Sequence, residues 1–201
     1  MRSSHAHALM ADTFTRVVDE LREESDRGCA VMAFAWIDEQ VTANLRRFLL
    51  PSSHPAQKSD ELLGAGKPLG DAATKIDLSL RLGLMREATY KTLTLFRRLR
   101  NDFAHLSTSL SFETPSVRDR VLAIFDCEQT MLNAVWESVI ADPEAAAAAT
   151  AQRGKSGPQI LRDILGTKRL FCILAGAIVA GLVLSGEDID PIAPLVANSE
   201  A

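Results

Sequence analysis

The stretch REATYKTLTLFRRLRNDFAH, residues 86–105, predicts a long helix with one apolar face. Its apolar side chains recur every three or four positions, which is the helical period. They are Tyr90, Leu93, Phe96, Leu99 and Phe103. Other stretches repeat this period, and the sequence contains no set of alternating β-branched runs joined by hairpin turns. The sequence therefore predicts an all-α fold.

Together with the other periodic segments, this helix predicts a single bundle of about six or seven helices. Further helices are expected at about 12–25, 29–50, 59–63, 71–82, 115–140 and 158–184, the last of them broken near Gly166. Glycine and proline residues separate these periodic segments. We divide the chain into a flexible N-terminus (1–11), a helical domain (12–141), an Ala-rich linker (142–157), an apolar C-terminal helix packing on the bundle (158–186) and a loose tail (187–201).

The composition is that of a globular domain, with 201 residues of which 47% are hydrophobic and 24% charged. Only 5% of the residues are aromatic, so we expect a core made mostly of aliphatic side chains and alanine. The formal net charge is −4, whereas domains that coat duplex DNA are usually strongly basic. No helix–turn–helix pattern with a basic recognition helix occurs either. The sequence therefore argues against direct binding of duplex DNA.

The most apolar segment is LFCILAGAIVAGLVL, residues 170–184, which contains no charged side chain. Its fifteen residues fall short of the roughly 20 that a bilayer requires. A helix buried on most of its faces is therefore favoured over a membrane anchor, although the anchor stays open as an alternative. In a buried helix, Gly176 and Gly181 would let a neighbouring backbone approach closely.

The three cysteines, Cys29, Cys127 and Cys172, are widely spaced and lie in apolar helical stretches. We expect buried free thiols in a reducing compartment rather than a disulfide framework. No Cys or His grouping has the spacing of a metal site, so the sequence predicts neither a metal nor a cofactor. The N-terminus lacks the apolar segment of a secretory signal, which favours a cytoplasmic protein.

The helix at 86–105 ends in the densest positive charge of the chain. Arg97, Arg98 and Arg100 lie close together in sequence, and Asn101 is four residues before His105 on the same helical face. An arginine can hold a phosphate group, and a histidine can transfer a proton near neutral pH. The structural alternative is equally simple: His105 would meet the negative end of the helix dipole and the arginines would be solvated.

The motif Arg100-Asn101-Asp102-Phe103-Ala104-His105 resembles the R-N-x-x-x-H signature of the HEPN superfamily. The resemblance implies an all-helical domain that dimerises and brings the motifs of two subunits together across a cleft. It also implies a metal-independent endoribonuclease, in which His105 would act as general acid or base. Arg100 would then steady the scissile phosphate and Asn101 would position Arg100 or His105, with Arg97 and Arg98 as further RNA contacts.

A longer block resembles the mannitol operon repressor (MtlR-like) family. It comprises KPLGD at 67–71, KIDL at 75–78, LGL at 82–84 and LRNDFAH at 99–105, within about residues 60–115; a weaker likeness covers 37–50. The resemblance implies a small helical bacterial protein that represses a sugar-alcohol operon. Lys75 and Asp77 lie inside the block without an assigned role, and a helix-surface charge or a salt bridge is the alternative to a functional role for each.

Two functions follow from these resemblances. The favoured one is a non-enzymatic transcriptional regulator of carbohydrate genes that acts through a cytoplasmic protein partner. The alternative is a HEPN-type ribonuclease, a toxin or defence effector, whose substrate is RNA. Both fit a homodimer, which we also expect because two nearly uniform apolar stretches, 29–37 and 170–184, need cover on all sides. In that dimer, the C-terminal end of the helix at 86–105 would lie near the subunit boundary.

Overall fold

The computed structural model describes residues 2–51, 60–105, 110–127, 129–152 and 154–194, and the side chains of all of these except 2–4, 129–132, 134 and 138. Nine helices and no strand occur in these residues. They are α1 (Arg2–Glu23), α2 (Asp26–Phe48), α3 (Ala72–Arg81), α4 (Glu87–His105), α5 (Pro115–Cys127), α6 (Gln129–Ile140), α7 (Pro143–Ala151), α8 (Gly157–Leu165) and α9 (Thr167–Glu187). The all-α prediction is confirmed, with more helices than the six or seven expected.

The N-terminal helices begin earlier than expected. Helix α1 starts at Arg2, so a helix extends into the segment predicted as a flexible terminus. No glycine or proline interrupts this segment, and its alanines favour helix. Gly28 lies in the first turn of α2 instead of ending the helix before it, because the Ser25 hydroxyl caps α2 by accepting the Gly28 N–H at 3.0 Å.

The helix predicted at 59–63 does not form in the described residues of that stretch. Residues 61–69 make successive turns, in which the Leu69 N–H donates to the Leu62 carbonyl at 2.8 Å. Asp60 does accept N–H bonds as a cap would, from Leu62 and Leu63 at 2.9 Å each. The chain turns back before a second helical turn is completed, so the predicted helix is not formed.

Between 115 and 157 the sequence predicts one helix and one linker. The helix expected at 115–140 is described as α5 and α6, with Glu128 between them outside the described residues. The linker expected at 142–157 contains α7, which was missed. Asp142 caps this helix by accepting the Glu144 N–H at 2.8 Å, and an alanine run continues it. None of the α7 side chains is buried, so local propensity and the cap carry this helix.

Helix α9 forms the centre of the bundle. Gly166 has a φ of +79° and separates α8 from α9, as predicted. Helices α1, α2, α5 and α8 all pack against α9. It is long and apolar enough to cross a membrane, with a mean hydropathy of 2.1, but 61% of its most apolar window is buried inside the protein. The structure thus supports the prediction of a buried helix. The sequence predicted a helix packing on the bundle, whereas α9 lies at its centre.

Only one of the two glycines predicted to allow a close approach does so. A Cβ atom on Gly176 would lie 2.7 Å from a methyl carbon of Val18 and 3.2 Å from the carbonyl oxygen of Phe14, so α1 crosses α9 at this point. Gly181 is exposed, and a Cβ atom there would meet nothing within 4 Å. The prediction was wrong for Gly181 because it faces away from the helices that cover α9.

The few aromatic residues gather in the core. The ring of Phe171 in α9 is 5.2 Å from that of Phe96 and 4.9 Å from that of Phe112, which is in turn 5.3 Å from that of Phe103. All four side chains are almost fully buried. The core is aliphatic by number of residues, as expected, but these rings link α4, α9 and the segment before α5. Centroid separations of this size are favourable for aromatic pairs.

The apolar stretches that suggested a dimer are covered largely within one chain. In the stretch 29–37, Cys29, Ala30, Ala33, Phe34 and Ile37 are buried, and α9 is surrounded by four other helices. The need for cover was therefore a poor reason to expect a second subunit. The homodimer itself stays a prediction.

Beyond α9, the N–H of Ile192 donates to the Phe48 carbonyl at 2.9 Å, which holds part of the segment predicted as a loose tail against α2.

Candidate binding cleft

Helices α2 and α4 and the N-terminus of α3 enclose a cleft of about 460 Å³. Its polar lining consists of Asp38 and Glu39 from α2, Asp71 at the start of α3, and Arg97, Arg100 and Asn101 from α4. Apolar atoms of Val31, Phe34 and Ala35 complete the wall formed by α2. We call this site the α2–α4 cleft.

The periodicity of α4 brings its polar residues into the cleft. Leu93, Phe96, Leu99 and Phe103 are buried in the core, which leaves the polar residues on the opposite side of the helix. Arg97, Arg100 and Asn101 are three and four residues apart and share that side. The guanidinium of Arg100 donates a hydrogen bond from Nη1 to Oδ1 of Asn101 at 3.0 Å. The structure thus brings together three of the residues singled out from the sequence, Arg97, Arg100 and Asn101.

The remaining members of the predicted site lie elsewhere. His105 is exposed at the end of α4 and does not line the cleft that contains Arg100 and Asn101. Arg98 is exposed on another side of the same helix. Asp102, the middle acid of the motif, forms an ion pair with Arg120 of α5. One chain therefore brings together Arg97, Arg100 and Asn101 but not His105, and Asp102 contributes to the α4–α5 contact.

Lys75 is a structural cation. Its side chain is only 4% exposed, and its Nζ lies 2.6 and 2.7 Å from the two carboxylate oxygens of Asp38. The same Nζ donates to the hydroxyl of Thr42 at 2.9 Å. These contacts tie α3 to α2 and fix the Asp38 carboxylate at the wall of the cleft. Asp38 was not predicted; the available signal was an acid directly after the apolar stretch 29–37.

Asp77 also joins two helices. It accepts a hydrogen bond from the Tyr90 hydroxyl of α4, and this bond, followed by the negative charge of Asp77, raises the pKa of Tyr90. The positive charge of Arg97 acts in the opposite direction. Lys75 and Asp77 therefore hold α3 against α2 and α4. For both residues the structure supports the structural alternative considered from the sequence.

The two walls of the cleft carry opposite charges. Asp38, Glu39 and Asp71 lie on the α2 and α3 side, and Arg97 and Arg100 lie on the α4 side. The Asp71 carboxylate also caps α3, accepting the N–H groups of Ala73 at 2.9 Å and Thr74 at 3.3 Å. Charges of both signs beside an apolar wall suit a polar protein surface better than the uniform negative charge of duplex DNA.

No group of three or more His, Cys, Asp or Glu side chains in the described part of the chain is arranged to hold a metal ion. The cleft polar groups are carboxylates, guanidinium groups and one amide. These groups can form ion pairs and hydrogen bonds with a bound molecule. Binding is therefore the chemistry that the cleft itself supports.

Comparison with known proteins identifies the fold but not the family. No protein-family model and no curated protein matches the sequence. A chain in the solved structure titled "X-ray structure of the MtlR-HPr complex from Escherichia coli" is similar, with a TM-score of 0.52 and 16% sequence identity. The match covers 86% of the present chain and 98% of the other. The chain therefore has an MtlR-like fold.

Proposed function

We propose that this chain is a non-enzymatic regulator of carbohydrate genes that acts by binding a protein partner. The observation that carries the proposal is the likeness of its fold, over 98% of the other chain, to a protein solved as a complex with HPr. The block resemblance to the mannitol operon repressor family, within residues 60–115, points the same way. The proposed partner is accordingly HPr or a protein with a similar surface, and the proposed location is the cytoplasm.

The α2–α4 cleft is the proposed docking site. It presents Arg97 and Arg100 opposite Asp38 and Glu39, so a partner can place charges of both signs in one patch. Lys75 neutralises part of the acidic wall and holds Asp38 in place, which lowers the side-chain entropy lost on binding. Complementary charges of this kind set the orientation of a partner and speed its association.

The ribonuclease alternative is the weaker proposal. It needs Arg100, Asn101 and His105 at one scissile phosphate, and a single chain separates His105 from the cleft that holds the other two. A second subunit would have to supply the missing histidine, which makes this function depend on the untested homodimer. The comparison with known proteins gives the alternative no support.

Isothermal titration of the purified chain with HPr tests the proposal. We expect saturable binding without nucleic acid and no retardation of operator DNA by the chain alone. No heat of binding with both proteins at about 0.1 mM, well above a micromolar Kd, would contradict a docking function for this partner.

A parallel incubation with labelled single-stranded RNA and EDTA tests the alternative. We expect the wild-type chain to leave the RNA intact. Cleavage that His105→Ala abolishes would support the ribonuclease in place of the regulator.

A further inference from the structure

Two cysteines that are distant in sequence meet inside the bundle. The sulfur of Cys29 in α2 lies 3.6 Å from the sulfur of Cys172 in α9, and both residues are fully buried free thiols. A disulfide bond is about 2.05 Å long, so the two sulfurs need to approach by only about 1.5 Å. The third cysteine, Cys127, lies in α5 and is half-buried.

A second cavity lies beside Cys172, which is itself buried. It has a volume of about 270 Å³, and Cys172 lines it together with Arg22, Lys168 and Arg169. Glu113 is the acid in the lining, so the cations outnumber the anions. The Nζ of Lys168 is held there by the carbonyl oxygens of Glu24 and Arg22. Cys29 is not part of the lining, so Cys172 is the member of the pair nearer to this cavity.

The surroundings give the two thiols different acidities. The hydrogen bond from Cys29 and the positive charges of Lys168 and Arg22 lower the pKa of Cys172, against the effect of burial. The contact with Cys172, followed by burial, raises the pKa of Cys29. A thiolate near cations is the reactive form of cysteine, whereas a buried thiol in apolar surroundings is inert. The cavity beside Cys172 and the nearby cations Lys168 and Arg22 therefore favour Cys172 as the nucleophile of the pair.

We propose that Cys172 and Cys29 are a peroxide-sensitive thiol pair, in which hydrogen peroxide entering the cavity oxidises Cys172 and Cys29 then closes a disulfide with it. The 3.6 Å separation and the cavity beside Cys172 carry this proposal. Reactive cysteines that have a second cysteine within reach commonly resolve to a disulfide. The product would join α2, which carries the acidic wall of the cleft, covalently to the central helix.

The reaction balances without a further reagent. The Cys172 thiolate attacks one oxygen of hydrogen peroxide, the O–O bond breaks, and the departing hydroxide takes up a proton to become water. Cys172 is then a sulfenic acid. The sulfur of Cys29 attacks the sulfur of Cys172, the S–O bond breaks, and the departing hydroxide takes the Cys29 proton as a second water. Two thiols are oxidised and one peroxide is reduced.

Peroxide treatment of folded Cys127→Ser protein, followed by quenching and a thiol count in denaturant, tests the proposal. This variant leaves the buried pair untouched and removes the only other cysteine. We expect both remaining thiols to be lost and mass spectrometry to show the peptides of Cys29 and Cys172 linked within one chain. Dithiothreitol should restore both thiols. Retention of both thiols, or linkage between chains only, would overturn the proposal.

A second variant separates the two steps. In Cys29→Ala, the sulfenic acid of Cys172 should persist and react with dimedone, while the linked peptide is absent. Circular dichroism checks that this variant is folded. Dimedone labelling of Cys127 alone in the wild-type chain, with Cys172 still reduced, would place the reactive cysteine outside the pair and overturn the assignment.

Discussion

Replacing two glycines of α9 by alanine, one at a time, should have opposite effects on stability. In both positions alanine favours a helix over glycine by about 0.8–1.0 kcal/mol. At Gly181 the added Cβ meets nothing within 4 Å, so this gain should appear in full. At Gly176 the same atom would lie 2.7 Å from a side-chain carbon of Val18, and 3.1 and 3.2 Å from atoms of Phe14.

The size of the difference follows from the contacts at Gly176. Overpacking a core costs about 1–3 kcal/mol, and the neighbours of Gly176 include a backbone carbonyl that cannot rotate away. Because the helix-propensity gain is common to both variants, it cancels when they are compared. We therefore expect Gly176→Ala to be less stable than Gly181→Ala by about 1–3 kcal/mol.

Urea denaturation followed by circular dichroism measures both variants against the wild type. For a chain of this length, 1 kcal/mol corresponds to a shift in Tm of about 2–4 °C, so thermal melts give an independent check. Equal stabilisation by the two substitutions would refute the packing of α1 against α9. Recovery of the chain only in detergent after cell lysis would revive the membrane-anchor alternative instead.

Of three further predictions, two concern the interior of the protein and one concerns a surface turn. Asp38→Ala leaves the buried ammonium of Lys75 without its carboxylate. It should therefore lower the free energy of unfolding, measured in urea, by about 3 kcal/mol, and a loss below about 0.5 kcal/mol would argue against the buried ion pair. Phe112→Ala removes a ring that contacts two others and should cost about 3–5 kcal/mol by the same assay, and a surface-like loss would contradict the aromatic core. The hydrogen bond from the Leu63 N–H lowers the pKa of the Asp60 carboxyl below its usual value of 3.8. The ionised carboxylate therefore stabilises the fold at pH values above 3.8, and this contribution is lost as the pH falls through the folded pKa. Acid denaturation should therefore show the stability gap between wild type and Asp60→Asn closing below about pH 4, and a gap independent of pH would exclude the effect.

Local features of the sequence predicted α4 and its buried face well. The apolar period places Leu93, Phe96 and Leu99 in the core, and the same geometry puts Arg97 and Arg100 on one outer side. The break at Gly166 was predictable for a similar reason, since glycine readily adopts a positive φ. In each case the information lies within a few residues of the chain.

Contacts between distant segments could not be predicted in the same way. Asp38 faces Lys75, and Cys29 faces Cys172, only because α2 packs against both α3 and α9. Nothing in the local pattern pairs these residues. The missed helix α7 has a different cause, because an alanine run can be either a linker or a helix until its cap is considered.

The most direct test of the docking proposal compares two neighbouring arginines of α4 in their binding to HPr. Arg97 lines the cleft, whereas Arg98 is exposed on another side of the helix, so charge reversal at each alters the net charge equally. By isothermal titration we expect Arg97→Glu to raise the Kd at least about tenfold, a loss of about 1.4 kcal/mol, and Arg98→Glu to leave it nearly unchanged. Equal effects of the two reversals, or a stronger effect at Arg98, would contradict the assignment of the α2–α4 cleft as the docking site.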